Sequence, residues 1–139
     1  MKNSPAYCFE LEFAVRDSEV DMFGVVNNSV YLRYLEHTRH TFLKSTGIDA
    51  AHMQQLGFNL VVTRIEIDYK QPLRSGDLFV VKLAVSAVTR VRFVFLQDIY
   101  HLSSQQLTTS ARIVGTAIPP NGRPGIPDDF YQVLHTHLA

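Results

Sequence analysis

The chain has 139 residues, 46% of them hydrophobic and 19% charged, with 13 basic residues against 13 acidic ones. That size suits one domain with a sizeable core, and the even charge balance argues against a nucleic-acid partner. The lone Cys8 excludes an internal disulfide and fits a reducing, cytoplasmic setting. The stretch MKNSPAYCFELEF lacks the apolar region of a signal peptide, and nothing approaches the roughly 18 consecutive apolar residues of a membrane span.

Phe9, Leu11, Phe13 and Val15 alternate with Glu10, Glu12, Ala14 and Arg16. A period of two predicts a half-buried strand. The period changes over residues 29–45, where Tyr31, Leu35, Thr38 and Phe42 recur on one helix face. Arg33, Glu36, His37, His40 and Lys44 cover the other side. Asn27 or Asn28 can cap the start of this helix, and Gly47 suits its end. A short helical turn is predicted over 49–56. Beyond Gly57, alternation around Val61, Ile65, Ile67 and Tyr69 predicts a second strand, ended by PLRSGD at 72–77. Three more strands are predicted over 78–88, 91–101 and 107–118, and their short turns make them antiparallel neighbours. PPNGRPG at 119–125 reads as a loop, and a short helix is predicted over 127–138.

One long helix is available to cover five strands. The economical solution is an α+β fold in which an antiparallel sheet curls around that helix, with residues 1–139 as a single domain. Val80, Val94 and Leu96 fall on the second face of the sheet, where another subunit would be a natural cover.

The chain lacks G-x-S-x-G, G-x-x-x-x-G-K-[ST] and G-x-G-x-x-G, which argues against an ordinary serine hydrolase and against phosphate-cradling loops. DSEVD at 17–21 spaces acids like a calcium loop, but Met22 and Asn28 stand where that loop needs Gly and Glu. His37 and His40 are spaced for a shared metal without a recognisable third ligand, and a solvated polar face explains them more simply. Asp21 stands out. It precedes the long helix, whose first backbone N–H groups are free, and Met22, Phe23, Val25 and Val26 are expected to form a partly dry wall around Gly24. A carboxylate beside free N–H donors can divide the work of acyl hydrolysis: the acid attacks or activates water, and the donors hold the oxyanion.

The run VRDSEVDMFGVVNNSVYLRYLE at 15–36 resembles the opening motif of hotdog-fold acyl thioesterases of the 4-hydroxybenzoyl-CoA thioesterase type. PLRSGD resembles the strand-ending turn of the same family. Within it, DMFGVVNNSVY and HTRH are most similar to plant plastid and cyanobacterial thioesterases acting on acyl carrier protein. The resemblance implies an acyl-CoA or acyl-acyl carrier protein substrate and no metal or organic cofactor. It also implies a homodimer or homotetramer with active sites at the subunit boundary. It places the catalytic carboxylate on Asp21, the carbonyl-polarising backbone N–H on Asn28 and a helix acid on Glu36, which equally well partners His40. Glu19 is a weaker candidate. Phe23, Gly24 and Val25 would line the substrate, and Arg90 and Arg92 could meet phosphates of the carrier or remain solvated edge charges. Rival readings are an aromatic, dihydroxynaphthoyl-type CoA thioesterase and a non-catalytic acyl-binding module. A hotdog dehydratase would need a histidine and an acid around a Pro-Gly-rich loop, a pattern absent here.

Overall fold

A computed structural model describes residues 5–139; residues 1–4 of the N-terminal stretch considered above lie outside the described residues. The elements are β1 (Phe9–Ala14), a 3-10 turn (Asp17–Glu19), α1 (Asn28–Thr46), α2 (Ala50–Gln55), β2 (Asn59–Tyr69), β3 (Leu78–Val88), β4 (Phe93–His101), β5 (Leu107–Ile118) and α3 (Asp128–Thr136). The five strands form one antiparallel sheet in the order β1-β3-β4-β5-β2. Strand, long helix, then four strands is the order expected from the periodicity. The fourth strand begins at Phe93 rather than 91, because Thr89 and Arg92 close the β3–β4 turn with a 2.8 Å backbone hydrogen bond.

Sheet curvature has a local cause. The register shifts at Val62/Arg64, at Val85/Ala87 and at Ile99/Tyr100. Each irregularity adds twist, so the sheet bends around α1 instead of lying flat. Phe79, Val81, Leu83, Phe95, Ile99 and Ile113 point inward and meet Tyr31, Tyr34, Leu35 and Phe42 of the helix in one hydrophobic cluster. Burying each such side chain contributes roughly 1.5–3 kcal/mol.

The helix ends as its flanking residues dictate. The Asn27 side chain accepts the Ser29 N–H at 3.0 Å, and Gly47, at φ +81°, turns its N–H back to the Lys44 carbonyl at 3.1 Å. Along α1, Tyr31, Leu35, Thr38 and Phe42 are buried, and Arg33, Glu36, His37, His40 and Lys44 are exposed.

The second face of the sheet departs from expectation. Val80 and Val94 are already buried within the single chain, and Leu96 is half-buried. Residues preceding β1 lie across this face, and Tyr7 packs edge-on against Tyr100, the cross-strand partner of Val80. Exposed apolar side chains include Met22 and Phe23 at the tip of the loop before α1 and Val62, Ile65 and Tyr69 along edge strand β2.

Candidate active site

Residues 20–26 form a miniature hairpin. Val20 bridges Val26, the Asp21 N–H donates to the Val25 carbonyl at 2.8 Å, and the Gly24 N–H donates to the Asp21 carbonyl at 3.0 Å. Gly24 has φ +78°, a conformation glycine adopts freely, and a Cβ there would meet nothing within 4 Å. The turn therefore needs glycine for backbone shape, not for room within the chain. The hairpin is pinned to PLRSGD: Val26 N–H donates to the Leu73 carbonyl at 2.8 Å, Val25 bridges Arg74, and the Ser75 hydroxyl donates to Asp17.

That frame fixes the Asp21 carboxylate. Its Oδ1 accepts the Phe23 N–H at 2.8 Å and, more weakly, the Val25 N–H at 3.5 Å. No hydrogen bond among the described residues engages Oδ2. One oxygen anchors the group and the other keeps its lone pairs, the division a general base or nucleophile requires.

Seven residues on, α1 begins. The Ser29 N–H is taken by the Asn27 side chain, and the Val30 N–H bonds the Asn27 carbonyl at 2.9 Å. The Asn28 N–H has no such partner among the described residues, so the first turn keeps a free donor there. The Tyr69 hydroxyl donates to the Asn28 carbonyl at 3.2 Å, and the Leu73 N–H donates to the Tyr31 hydroxyl at 3.1 Å. These aromatic tips lock the helix start against β2 and the PLRSGD turn.

The other expected residues are distributed unevenly. Val26 is buried and Val25 half-buried, but Phe23 is 79% exposed and Met22 89% exposed. The expected dry wall is thus incomplete in the single chain, because both residues occupy the outward tip of the turn. Glu19 does not face Asp21. Its carboxylate accepts the Tyr34 hydroxyl and the Arg16 N–H, each at 2.8 Å. Burial, reinforced by Glu19, pushes the Tyr34 phenol above its ordinary range. Glu36 is exposed two helical turns beyond Asn28, about 12 Å along the axis. Arg90 and Arg92 sit at the far end of β3, whose 11 residues span about 35 Å from the end pinned near Asp21. Arg90 pairs with Asp128 at 2.8 Å and lies 4.0 Å over the Tyr131 ring. Within one chain these arginines do not share a site with Asp21. His37 packs edge-on against Phe13.

A feature the sequence reading passed over is Arg39. It is only 8% exposed, and it donates to the buried Gln97 side chain at 3.0 Å. Gln97 in turn donates to the Leu35 carbonyl at 3.0 Å. Arg39 stands at i, i+4 from Leu35, so helical spacing puts it on the buried side, whereas the general preference of charged residues for the surface points the other way.

Among known proteins, the model of a family described as the thioesterase-like superfamily matches residues 15–134. The chain belongs to that superfamily. Its match spans the Asp21 hairpin, α1 and all the strands after it. Two similar relatives are chloroplastic acyl-acyl carrier protein thioesterases of Arabidopsis thaliana. ATL2 is 43% identical over 109 residues, covering 78% of this chain and 57% of its own length. ATL3 is 39% identical over 115 residues, covering 83% and 60%. The chain thus spans about three fifths of the length of these relatives. A crystal structure of a hypothetical protein from Aquifex aeolicus superposes with a TM-score of 0.85 at 28% identity, over 91% of this chain and 98% of that one. A 1,4-dihydroxy-2-naphthoyl-CoA thioesterase from Synechocystis also superposes at 0.85, over 94% and 96%; at 23% identity it speaks to the shared fold. The curled five-stranded sheet around one long helix is therefore the hotdog arrangement of this superfamily. No helix among the described residues is long and apolar enough to cross a membrane.

Proposed function

We propose that the chain hydrolyses acyl thioesters, releasing a free acid and a thiol. The observation that carries this reading is the pairing of a half-engaged Asp21 carboxylate with the unpartnered Asn28 N–H on one short hairpin-to-helix junction. The thioester carbonyl lies between them. Its oxygen takes a hydrogen bond from the Asn28 N–H, at the positive end of the helix dipole. Asp21 Oδ2 takes a proton from a water that adds to the carbonyl carbon. The C–S bond then breaks, and the thiolate leaves to be protonated. Direct attack by Asp21, giving a mixed anhydride that water cleaves, yields the same products. Neither route uses the Asn28 side chain.

The preferred carrier is acyl carrier protein, with coenzyme A as the alternative. The identity to the two plastid relatives supports the first. The 1,4-dihydroxy-2-naphthoyl-CoA thioesterase from Synechocystis, at 23% identity, supports the shared fold and not an aromatic CoA substrate. The single half-buried Cys8 fits a reducing compartment such as the cytoplasm.

The active assembly is a homodimer or homotetramer. Edge strand β2 leaves one side of its backbone unpaired, and Val62, Ile65 and Tyr69 remain partly open on its inner row. A second copy that covers this edge would also cover Phe23, Gly24 and Val25 and complete the dry wall. Glu36 acts from the same boundary, and Arg90 or Arg92 reaches a carrier phosphate from the second subunit. The decisive experiment compares wild type and Asp21→Asn on acyl-acyl carrier protein and acyl-CoA panels, with sedimentation on the same samples. Turnover that survives the substitution, or full activity from a monomer, would remove this reading.

A further inference from the structure

The five residues 69–73 hold both halves of the candidate site. At one end of this segment the Tyr69 hydroxyl donates to the Asn28 carbonyl at 3.2 Å. At the other end the Leu73 carbonyl accepts the Val26 N–H at 2.8 Å, and the Leu73 N–H donates to the Tyr31 hydroxyl at 3.1 Å. Between them, the Lys70 and Gln71 N–H groups both donate to the Thr108 carbonyl, at 2.8 and 3.0 Å. Thr108 is 1% exposed, and its hydroxyl donates to the Ile99 carbonyl at 3.1 Å. The segment is therefore seated on β5 and β4. It grips the Asp21 hairpin with its backbone and the start of α1 with one side chain.

Capping does not explain the Tyr69 bond. A helix start leaves N–H groups without partners, whereas its carbonyls accept from the next turn. The tyrosine thus adds a donor to a carbonyl that the helix already serves. Apolar packing does not need the hydroxyl either. The Tyr69 ring rests edge-on against Tyr31, with 5.1 Å between centroids, a contact that phenylalanine would keep. Tyr69 is 45% exposed, so water is within its reach, yet its hydroxyl turns to residue 28. What the bond fixes is the place of Asn28 against a rigid strand end. Asn28 carries the N–H that has no partner among the described residues.

We infer that Tyr69 is a positioning residue: its hydroxyl holds the Asn28 N–H in register with the Asp21 carboxylate, so that both meet one thioester carbonyl. This rests on the thioesterase reading and adds to it a residue that acts through Asn28. An oxyanion donor is effective when it is fixed before the charge develops, and small misplacements cost rate steeply. Loosening the donor weakens the transition state and leaves ground-state binding alone, so kcat bears the loss and KM does not.

The test is Tyr69→Phe, assayed on decanoyl-CoA and decanoyl-acyl carrier protein beside wild type. The expected result is a kcat about tenfold lower, short of the 10²–10³ lost when an oxyanion donor is removed outright, with KM held within about twofold. Tm falls by a few degrees at most, since one half-exposed hydrogen bond is lost. A residue that only braced the fold would lower Tm and raise KM along with the loss of kcat, and that pattern overturns the inference. A lower kcat with altered sedimentation assigns Tyr69 to a subunit contact and overturns it too. Amide NMR of isotope-labelled protein gives a readout free of turnover. In the variant, the Asn28 and Ser29 amides broaden through millisecond exchange, and those of Phe23 and Val25 stay sharp. Sharp Asn28 and Ser29 amides overturn the inference whatever the kinetics. An active wild type whose kcat survives Tyr69→Phe overturns it and leaves the hydrolysis standing. Protein that cleaves neither thioester, yet loosens at Asn28 in the variant, removes the hydrolysis and keeps the hold of Tyr69 on the helix start.

Discussion

The two flanks of α1 differ in how completely they are packed. Toward β1 and β3, Tyr34 meets Phe13 at 5.3 Å and Phe79 at 4.7 Å between ring centroids, Phe13 and Phe79 stack at 5.2 Å, and the Tyr34 hydroxyl is tied to Glu19. Toward β2, Leu32, Ile65 and Tyr69 stay between a third and a half exposed, with Tyr69 resting edge-on against Tyr31 at 5.1 Å, and the flank begins at the free Asn28 N–H. The closed flank is where apolar contacts stabilise the fold. The open flank exposes apolar surface that folding alone would have covered, which is the mark of a surface kept for a ligand or a second subunit.

The largest effect should come at the mouth of the open flank. Asp21→Asn retains the size of the side chain and an oxygen for the Phe23 N–H but removes the carboxylate that the proposed mechanism uses as its base. Loss of a positioned base lowers kcat by on the order of 10²–10⁴, with Tm nearly unchanged. Steady-state kinetics beside a melting curve checks both halves. Glu36→Gln on the same assay should cost less, since its carboxylate sits about 12 Å further along the helix.

On stability the order reverses. Leu35→Ala, at a fully buried position, should destabilise by about 2–5 kcal/mol through lost transfer energy and a cavity. Ile65→Ala should lower monomer stability by under about 1.5 kcal/mol, because much of its side chain is already wet. Urea titration of the two variants would erase the distinction between flanks if the costs matched.

Gly24 offers a finer cut. Gly24→Val puts a branched side chain at positive φ and should strain the hairpin by about 1–2 kcal/mol or more, spoiling the Asp21 geometry. Gly24→Asn, which tolerates that conformation, should recover most of the activity. Equal loss in both variants would mean that the site needs empty space at Gly24 and not its backbone angle.

The smallest effect belongs to the closed flank's polar tip. Tyr34→Phe should cost about 1 kcal/mol near neutral pH. Folding raises the Tyr34 phenol above its ordinary value near 10, so its proton is held more tightly in the folded state. Stability is therefore fully present below about pH 10 and falls as pH climbs beyond it. The variant should show a shallower alkaline decline, measured by Tm against pH; Tyr7, Cys8, Tyr31 and Tyr69, shifted the same way, contribute to what remains.

The order of elements, the buried stripe of α1, an asparagine cap at 27 or 28 and the Gly47 stop were all legible in the sequence, because each depends on residues close together in the chain; the fold chose Asn27. The family was legible too, since the 15–36 motif is contiguous. What the tertiary structure decided concerns distances between residues far apart. Arg90 and Arg92 lie a strand's length from Asp21, which no local pattern could show. Val80 and Val94 alternate outward as read, yet they are buried, because neighbouring elements and the segment before β1 cover a face that periodicity alone leaves bare. Phe23 reads as apolar wall but stands on a turn tip in solvent, since the turn's hydrogen bonds and not its hydrophobicity choose the direction of the side chain. Arg39, which periodicity does not single out, is buried against Gln97, 58 residues away. Periodicity reports which residues share a face; what lies against that face is set by the packing of the whole chain.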